Sequence, residues 1–129
     1  MQQVTKKLLR DKYLYLALFV TIAIGIFSLI KPSKTNGISF FKFENADKLE
    51  HLIAYFSLGL SWFFATKNVS NKKQSKNIVI FSCIIFGTII EILQGTITNY
   101  RTADYKDIIA NSVGVLLALL LFNSLSSKK

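Results

Sequence analysis

Between Tyr13 and Ile30 the chain runs for eighteen residues without a charge. At about 1.5 Å rise per residue, a helix of that length reaches roughly 27 Å, close to the thickness of a bilayer's hydrocarbon core. Such a run is expected to cross a membrane, and that constraint decides most of the fold. Lys6, Lys7 and Arg10 precede it, as they would a signal peptide, but no small-x-small cleavage site follows; the chain continues Lys31-Pro32-Ser33-Lys34. Retention as an anchor is the expectation, with Pro32 helping to end the helix.

Three more apolar runs follow: Leu52 to Thr66, Ile78 through Glu91 towards Thr98, and Ile108 to Leu125. The second is short for a full span, so its helix is expected to start near Asp47. Asp47 would be the N-cap, with Glu50 three positions on in a capping-box arrangement. The prediction is an all-α integral membrane bundle of four transmembrane helices, at about 13–30, 48–66, 77–97 and 107–125, in a single domain over 1–129. One proline and six glycines leave little room for a turn-rich β protein.

The charge pattern agrees. A net charge of +9 could suggest a nucleic-acid partner. The sixteen Lys and Arg instead fall in short groups between apolar runs or at the termini, as in the loops of a multi-spanning protein, so no nucleic acid is expected. With 51% hydrophobic residues the chain is too apolar for disorder, and one cysteine cannot form an internal disulfide. Four spans put the N-terminus, the middle loop and the C-terminus on one side with ten Lys and Arg, against six in the other two loops. Positive-inside counting then makes both termini cytoplasmic. The stretch 36–45 holds Phe40, Phe41 and Phe43. It reads either as an interfacial, re-entrant or amphipathic segment or as a loop packed over the bundle.

In this topology the ionisable groups collect at the outer end. Asp47, His51 and Tyr55 are spaced by four and share a helix face. Asp104, Asp107 and Asn111 follow three-and-four spacing, and Glu91 and Gln94 are three apart. The inner halves, Ser57 to Phe64, Ile78 to Gly87 and Val115 to Phe122, are apolar. An isolated charge facing lipid is costly, so the three polar faces are expected to converge in one layer. Glu91 lies fifteen positions after Lys76, within the hydrocarbon region. It must face a polar cavity, pair with Arg101 or His51, or carry a proton. His51 reads as a general base or as an interfacial histidine bonded to a carbonyl. Arg101 and Lys48 are the candidate anion clamps, or else ion-pairing and snorkelling side chains. His51, Glu91, Asp104 and Asp107 could supply metal ligands, but no HxxxH or CxxC spacing supports a metal, and none is expected, nor any cofactor. Cys83 among Ile and Phe reads as inert packing, and Trp62 as packing more than an interface belt. Gly59, Gly87, Gly95 and Gly114 read as close-approach positions or helix ends.

These same residues carry a resemblance. Asp47-Lys48-x-x-His51-x-x-x-Tyr55-x-x-Leu58-Gly59 resembles the first motif of the VanZ-like membrane protein family. Glu91-x-x-Gln94, then Arg101-x-x-Asp104-x-x-Asp107-x-x-x-Asn111-x-x-Gly114, resembles the second, so the motif region is 47–114. The segment 96–100 before Arg101 lacks the proline and glycine often found there, and Ala118 stands where glycine is common. The resemblance implies a small four-helix protein of the bacterial inner or plasma membrane. It also brings a family link, by resemblance only, to teicoplanin resistance at the cell envelope.

Three functional readings follow. The favoured one is a non-enzymatic protein that binds membrane lipids, namely an anionic headgroup or a lipid-linked cell-wall precursor. Arg101 and Lys48 would contact phosphate; Asp47, Glu91, Asp104 and Asp107 would orient those cations; His51, Tyr55, Gln94 and Asn111 would complete the layer. The alternative is a membrane-embedded enzyme on a lipid phosphate or headgroup, with His51 as base or nucleophile, Glu91 or Asp107 as acid and Arg101 as charge stabiliser. In the third, the layer only registers the bundle or belongs to a subunit of a larger membrane complex; a homo-oligomer stays open. A transporter is disfavoured because the inner halves offer no polar path.

Overall fold

The computed structural model describes residues 2–29, 46–68, 70–97 and 105–127. Their regular structure is four helices: α1 (Gln2–Leu29), α2 (Ala46–Ala65), α3 (Lys72–Ile97) and α4 (Tyr105–Ser127). All four helices start earlier than expected, α1 and α3 by the most. α1 begins at Gln2, not near residue 13, because the basic stretch before the apolar run is rich in good helix formers and has no Gly or Pro to stop it. α3 begins at Lys72, not 77, because Asn71 caps it: its Oδ1 accepts from Gln74 N at 3.0 Å, and its carbonyl accepts from Ser75 N at 3.0 Å. α2 also corrects the capping expectation, since the helix includes Ala46 and Asp47 therefore lies inside its first turn. Thr66 closes α2, its hydroxyl donating to the Trp62 carbonyl at 2.8 Å. The aromatic stretch of 36–45 lies outside the described residues.

Three helical segments are long and apolar enough to cross a membrane: Asp11–Leu29, Lys72–Thr96 and Tyr105–Ser126. α2, the expected fourth span, does not reach that standard, because Asp47, Lys48, Glu50 and His51 crowd its first turns. It is nonetheless the centre of the bundle. α2 packs chiefly against α4 and then α1, α3 leans on α4 more than on α2, and α1 reaches α2 and α3.

Each central helix buries one stripe. On α2 it is Tyr55, Leu58 and Phe63; on α3 it is Val79, Cys83, Ile90, Glu91 and Gln94; on α4 it is Asp107, Asn111, Val115, Ala118 and Phe122. The outward stripes are more apolar than the inner ones: Ile78, Phe81, Ile85, Ile89 and Ile92 on α3 are exposed, as are Phe19, Ile22 and Ile26 on α1 and Leu116, Leu117 and Leu120 on α4. In water this continuous apolar jacket would be an aggregation surface; in lipid it faces its solvent. The polar residues of the buried stripes stand at the N-terminal ends of α2 and α4 and the C-terminal end of α3. The opposite end holds an aromatic cluster. There Tyr13 stacks on Phe64 at 5.3 Å and Phe63 on Phe122 at 5.6 Å, with Lys67 Nζ 4.9 Å above the Tyr13 ring. Lys76 Nζ donates to Asn123 Oδ1 at 2.7 Å. Aromatic rings with lysines at their rim suit a headgroup boundary.

The packing reading of Trp62 gains a specific bond. Its Nε1 donates to Thr21 Oγ1 at 2.9 Å, and that hydroxyl donates to the Ala17 carbonyl at 2.7 Å, tying α2 to α1. Trp62→Phe should lower the stability of the folded state by about 1 kcal/mol, the scale of an interhelical hydrogen bond in a membrane. Reversible unfolding in mixed micelles measures it, and no change would mean that the bond carries none of the α1–α2 contact.

Candidate functional site

The polar end is assembled by helical spacing. Lys48, His51 and Tyr55 follow one another along α2; Glu91 and Gln94 come from the last turns of α3; Asp107 and Asn111 come from the first turns of α4. Glu91, Gln94, Asp107 and Asn111 are all buried, as is Tyr55. The structure brings Lys48, His51, Glu91, Asp107 and Asn111 together at this end. Of the remaining candidates, Arg101 and Asp104 lie outside the described residues, and the Asp47 side chain does too.

Two glycines set how closely the helices approach. A Cβ on Gly114 of α4 would collide with the Leu52 carbonyl oxygen and stand 2.9 Å from Phe56 N, so the α2 backbone lies directly against this position. A Cβ on Gly87 of α3 would come to 2.7 Å from Asn111 Nδ2 and 3.0 Å from Tyr55 Cε1. Glycine there lets α3 sink between α2 and α4, which carries Glu91, one turn further on, into the layer. Gly59 meets Ala118 Cβ at 3.3 Å, an easier contact, and Gly95 is exposed.

The interactions are directional. Lys48 Nζ stands 2.8 Å from Asp107 Oδ1 as an ion pair, with the lysine side chain 22% exposed and the aspartate 7%. His51 Nδ1 lies 3.0 Å from Asn111 Oδ1. An amide oxygen only accepts, so Nδ1 carries a hydrogen and donates it. The other ring nitrogen, Nε2, faces Asp107 Oδ2 at 3.6 Å, beyond a hydrogen bond of normal length. Ligand atoms of His51, Glu91 and Asp107 all lie within 4.8 Å of one another, so these three could hold a metal ion. The Tyr55 hydroxyl is buried and makes no hydrogen bond among the described residues. Gln94 Nε2 donates to the Ser28 carbonyl at 2.8 Å and fastens the end of α1 to α3.

Two contacts escaped sequence reasoning. Asn111 as the partner of His51 joins positions sixty apart, and no local period reveals it. Thr21 is a hydroxyl inside an apolar run, a signal that was available; its partner was not. Cys83 is buried and free, as its apolar neighbours implied.

A lipid-facing apolar jacket around three long apolar helices, with ionisable groups enclosed at one end, defines a multi-pass helical membrane protein. The chain belongs to the VanZ/LLP1 family, whose sequence profile matches residues 2–126. Comparison with curated proteins and with solved structures finds no match.

Proposed function

We propose that the protein binds an anionic lipid headgroup, or a lipid-linked cell-wall precursor, at the polar end of its bundle, in the bacterial plasma membrane. The observation that carries this reading is the partly open Lys48 ammonium held by buried Asp107 at the polar end of the bundle. Four spans with both termini cytoplasmic would put that end on the outer side, where α2 would enter as the fourth span with its charged first turns among headgroups. Arg101 would be a second phosphate contact, and Asp47 and Asp104 would help to orient the cations. The enzymatic alternative is less favoured, because the contacts of His51 among the described residues are a hydrogen bond to Asn111 and, at 3.6 Å, the Asp107 carboxylate, neither of them a hydroxyl or thiol nucleophile. The family's link to glycopeptide resistance would fit a precursor ligand.

Purification in native lipid, followed by mass spectrometry of the copurifying lipids, tests the reading. An anionic lipid or precursor enriched in wild type should fall several-fold in Lys48→Ala and in Arg101→Ala. Identical lipids in all three preparations would remove the proposal and leave a structural layer or a protein partner.

A further inference from the structure

We propose that His51 Nε2, Glu91 and Asp107 Oδ2 form a binding site for one divalent transition-metal ion, Zn²⁺ or Mn²⁺. The site stands on these side chains alone and does not depend on the headgroup reading.

The first argument is the tautomer. With Nδ1 donating its hydrogen to Asn111, Nε2 is the ring nitrogen left to ligate, and it faces Asp107 Oδ2 at 3.6 Å, too far for a hydrogen bond of normal length. A cation between them would bond to both. The distance fits: metal–nitrogen and metal–oxygen bonds of about 2.1 Å at a tetrahedral angle put the two ligand atoms roughly 3.4 Å apart. A direct hydrogen bond would draw them closer than the observed 3.6 Å.

The second argument is the surrounding shell. Histidine ligands commonly donate their other ring N–H to an oxygen that fixes the ring, and Asn111 does this here. Asp107 divides its two oxygens in the same way. Oδ1 goes to Lys48 and Oδ2 turns to the histidine, so the ligand oxygen is oriented by a partner on its far side.

The third argument is independent of the trio. Tyr55 lies one turn beyond His51 on the same face, is 1% exposed, and sets its ring against Gly87, one turn before Glu91. Its hydroxyl has no hydrogen-bond partner among the described residues. Buried hydroxyls are normally satisfied, and a fourth ligand on the ion, water or an anionic oxygen, would supply the acceptor. One nitrogen and two carboxylates suit zinc and manganese better than magnesium, which keeps most of its water, or copper(I), which prefers sulfur.

The test uses the full chain in detergent micelles, stripped with EDTA and then titrated with MnCl₂ or ZnCl₂. Wild type should bind one equivalent, and pulsed electron paramagnetic resonance of bound Mn²⁺ should show nitrogen coupling from a single imidazole. That coupling should vanish in His51→Gln. Asn111→Ala should keep the stoichiometry and weaken binding about 10- to 100-fold, the usual effect of losing the partner of a metal ligand. Cys83→Ala should bind like wild type, which excludes the thiol. Folded wild type that binds no equivalent of either ion, or bound Mn²⁺ without nitrogen coupling, overturns the site, and the second result needs no variant to fold. Lipid copurification is read on the same samples, so a failed metal site and a failed headgroup site are separately visible.

Discussion

Gly114→Ala is expected to disable the bundle with a single methyl group. The new Cβ would overlap the Leu52 carbonyl oxygen and stand 2.9 Å from Phe56 N, and both are backbone atoms of α2. A side chain in the way can change rotamer; a helix backbone can only move as a unit. Overpacking typically costs about 1–3 kcal/mol, and contact with backbone belongs at the top of that range. Alanine recovers about 1 kcal/mol of helix propensity over glycine, which does not offset the clash. Because α2 and α4 share the largest contact, separating them also moves Lys48 and His51 away from Asp107 and Asn111. Gly59→Ala is the control. Its Cβ would meet the Ala118 methyl at 3.3 Å, a contact that a few tenths of an ångström relieve. Thermal unfolding in micelles should show Gly114→Ala clearly destabilised and Gly59→Ala near wild type; equal melting of the two would contradict the backbone contact.

The second large effect concerns the ion pair. Asp107→Ala removes the buried carboxylate 2.8 Å from the Lys48 ammonium and leaves a gap beside His51. Breaking a fully buried pair costs about 3–5 kcal/mol; because Lys48 is 22% exposed and can reach towards headgroups, about 2 kcal/mol is expected here. The reverse deletion, Lys48→Ala, strands a less exposed carboxylate. Removing both charges should be milder than removing the aspartate alone, because a buried pair gains little over neutral packing once its desolvation is counted. The double variant Lys48→Met with Asp107→Leu should therefore melt within about 1 kcal/mol of wild type while losing both headgroup and metal binding. A double variant as unstable as the single one would mean that Asp107 is held by something other than this pair. One that keeps its ligands would mean that the layer is structural.

Much of this was legible in the sequence, for physical reasons. Helical periodicity puts His51 and Tyr55 on one face, and distance along α3 places Glu91 inside the membrane. The cost of a lipid-facing charge then requires that the faces meet. Periodicity does not say which atoms meet. The bond from His51 to Asn111 depends on the rotation of α2 against α4, which Gly114 permits. The bond from Gln94 to the Ser28 carbonyl depends on where α1 ends. Helix ends were read less well than helix interiors. Hydropathy marks where lipid contact begins, whereas capping and propensity mark where the helix begins; at Gln2 and at Asn71 the two differ. The same distinction explains α2, whose charged first turns shorten its apolar run without shortening the helix.

That charged beginning has a consequence for how the protein enters its membrane. α2 is the helix least able to partition into lipid alone, yet it makes the most extensive contacts. Its companions reach it from both sides of the sequence, and α4, which carries Asp107 and the notch at Gly114, is synthesised well after it. α2 should therefore wait, loosely inserted or at the membrane surface, until α4 arrives to neutralise Lys48 and accept its backbone. Cysteine-accessibility mapping of chains truncated before residue 105 should find α2 open to water-soluble reagents, and protection there would show that it inserts unaided. The groups that would form the ligand site would thus also act as a checkpoint on assembly, so that a chain still lacking α4 is marked as unfinished by charges it cannot hide.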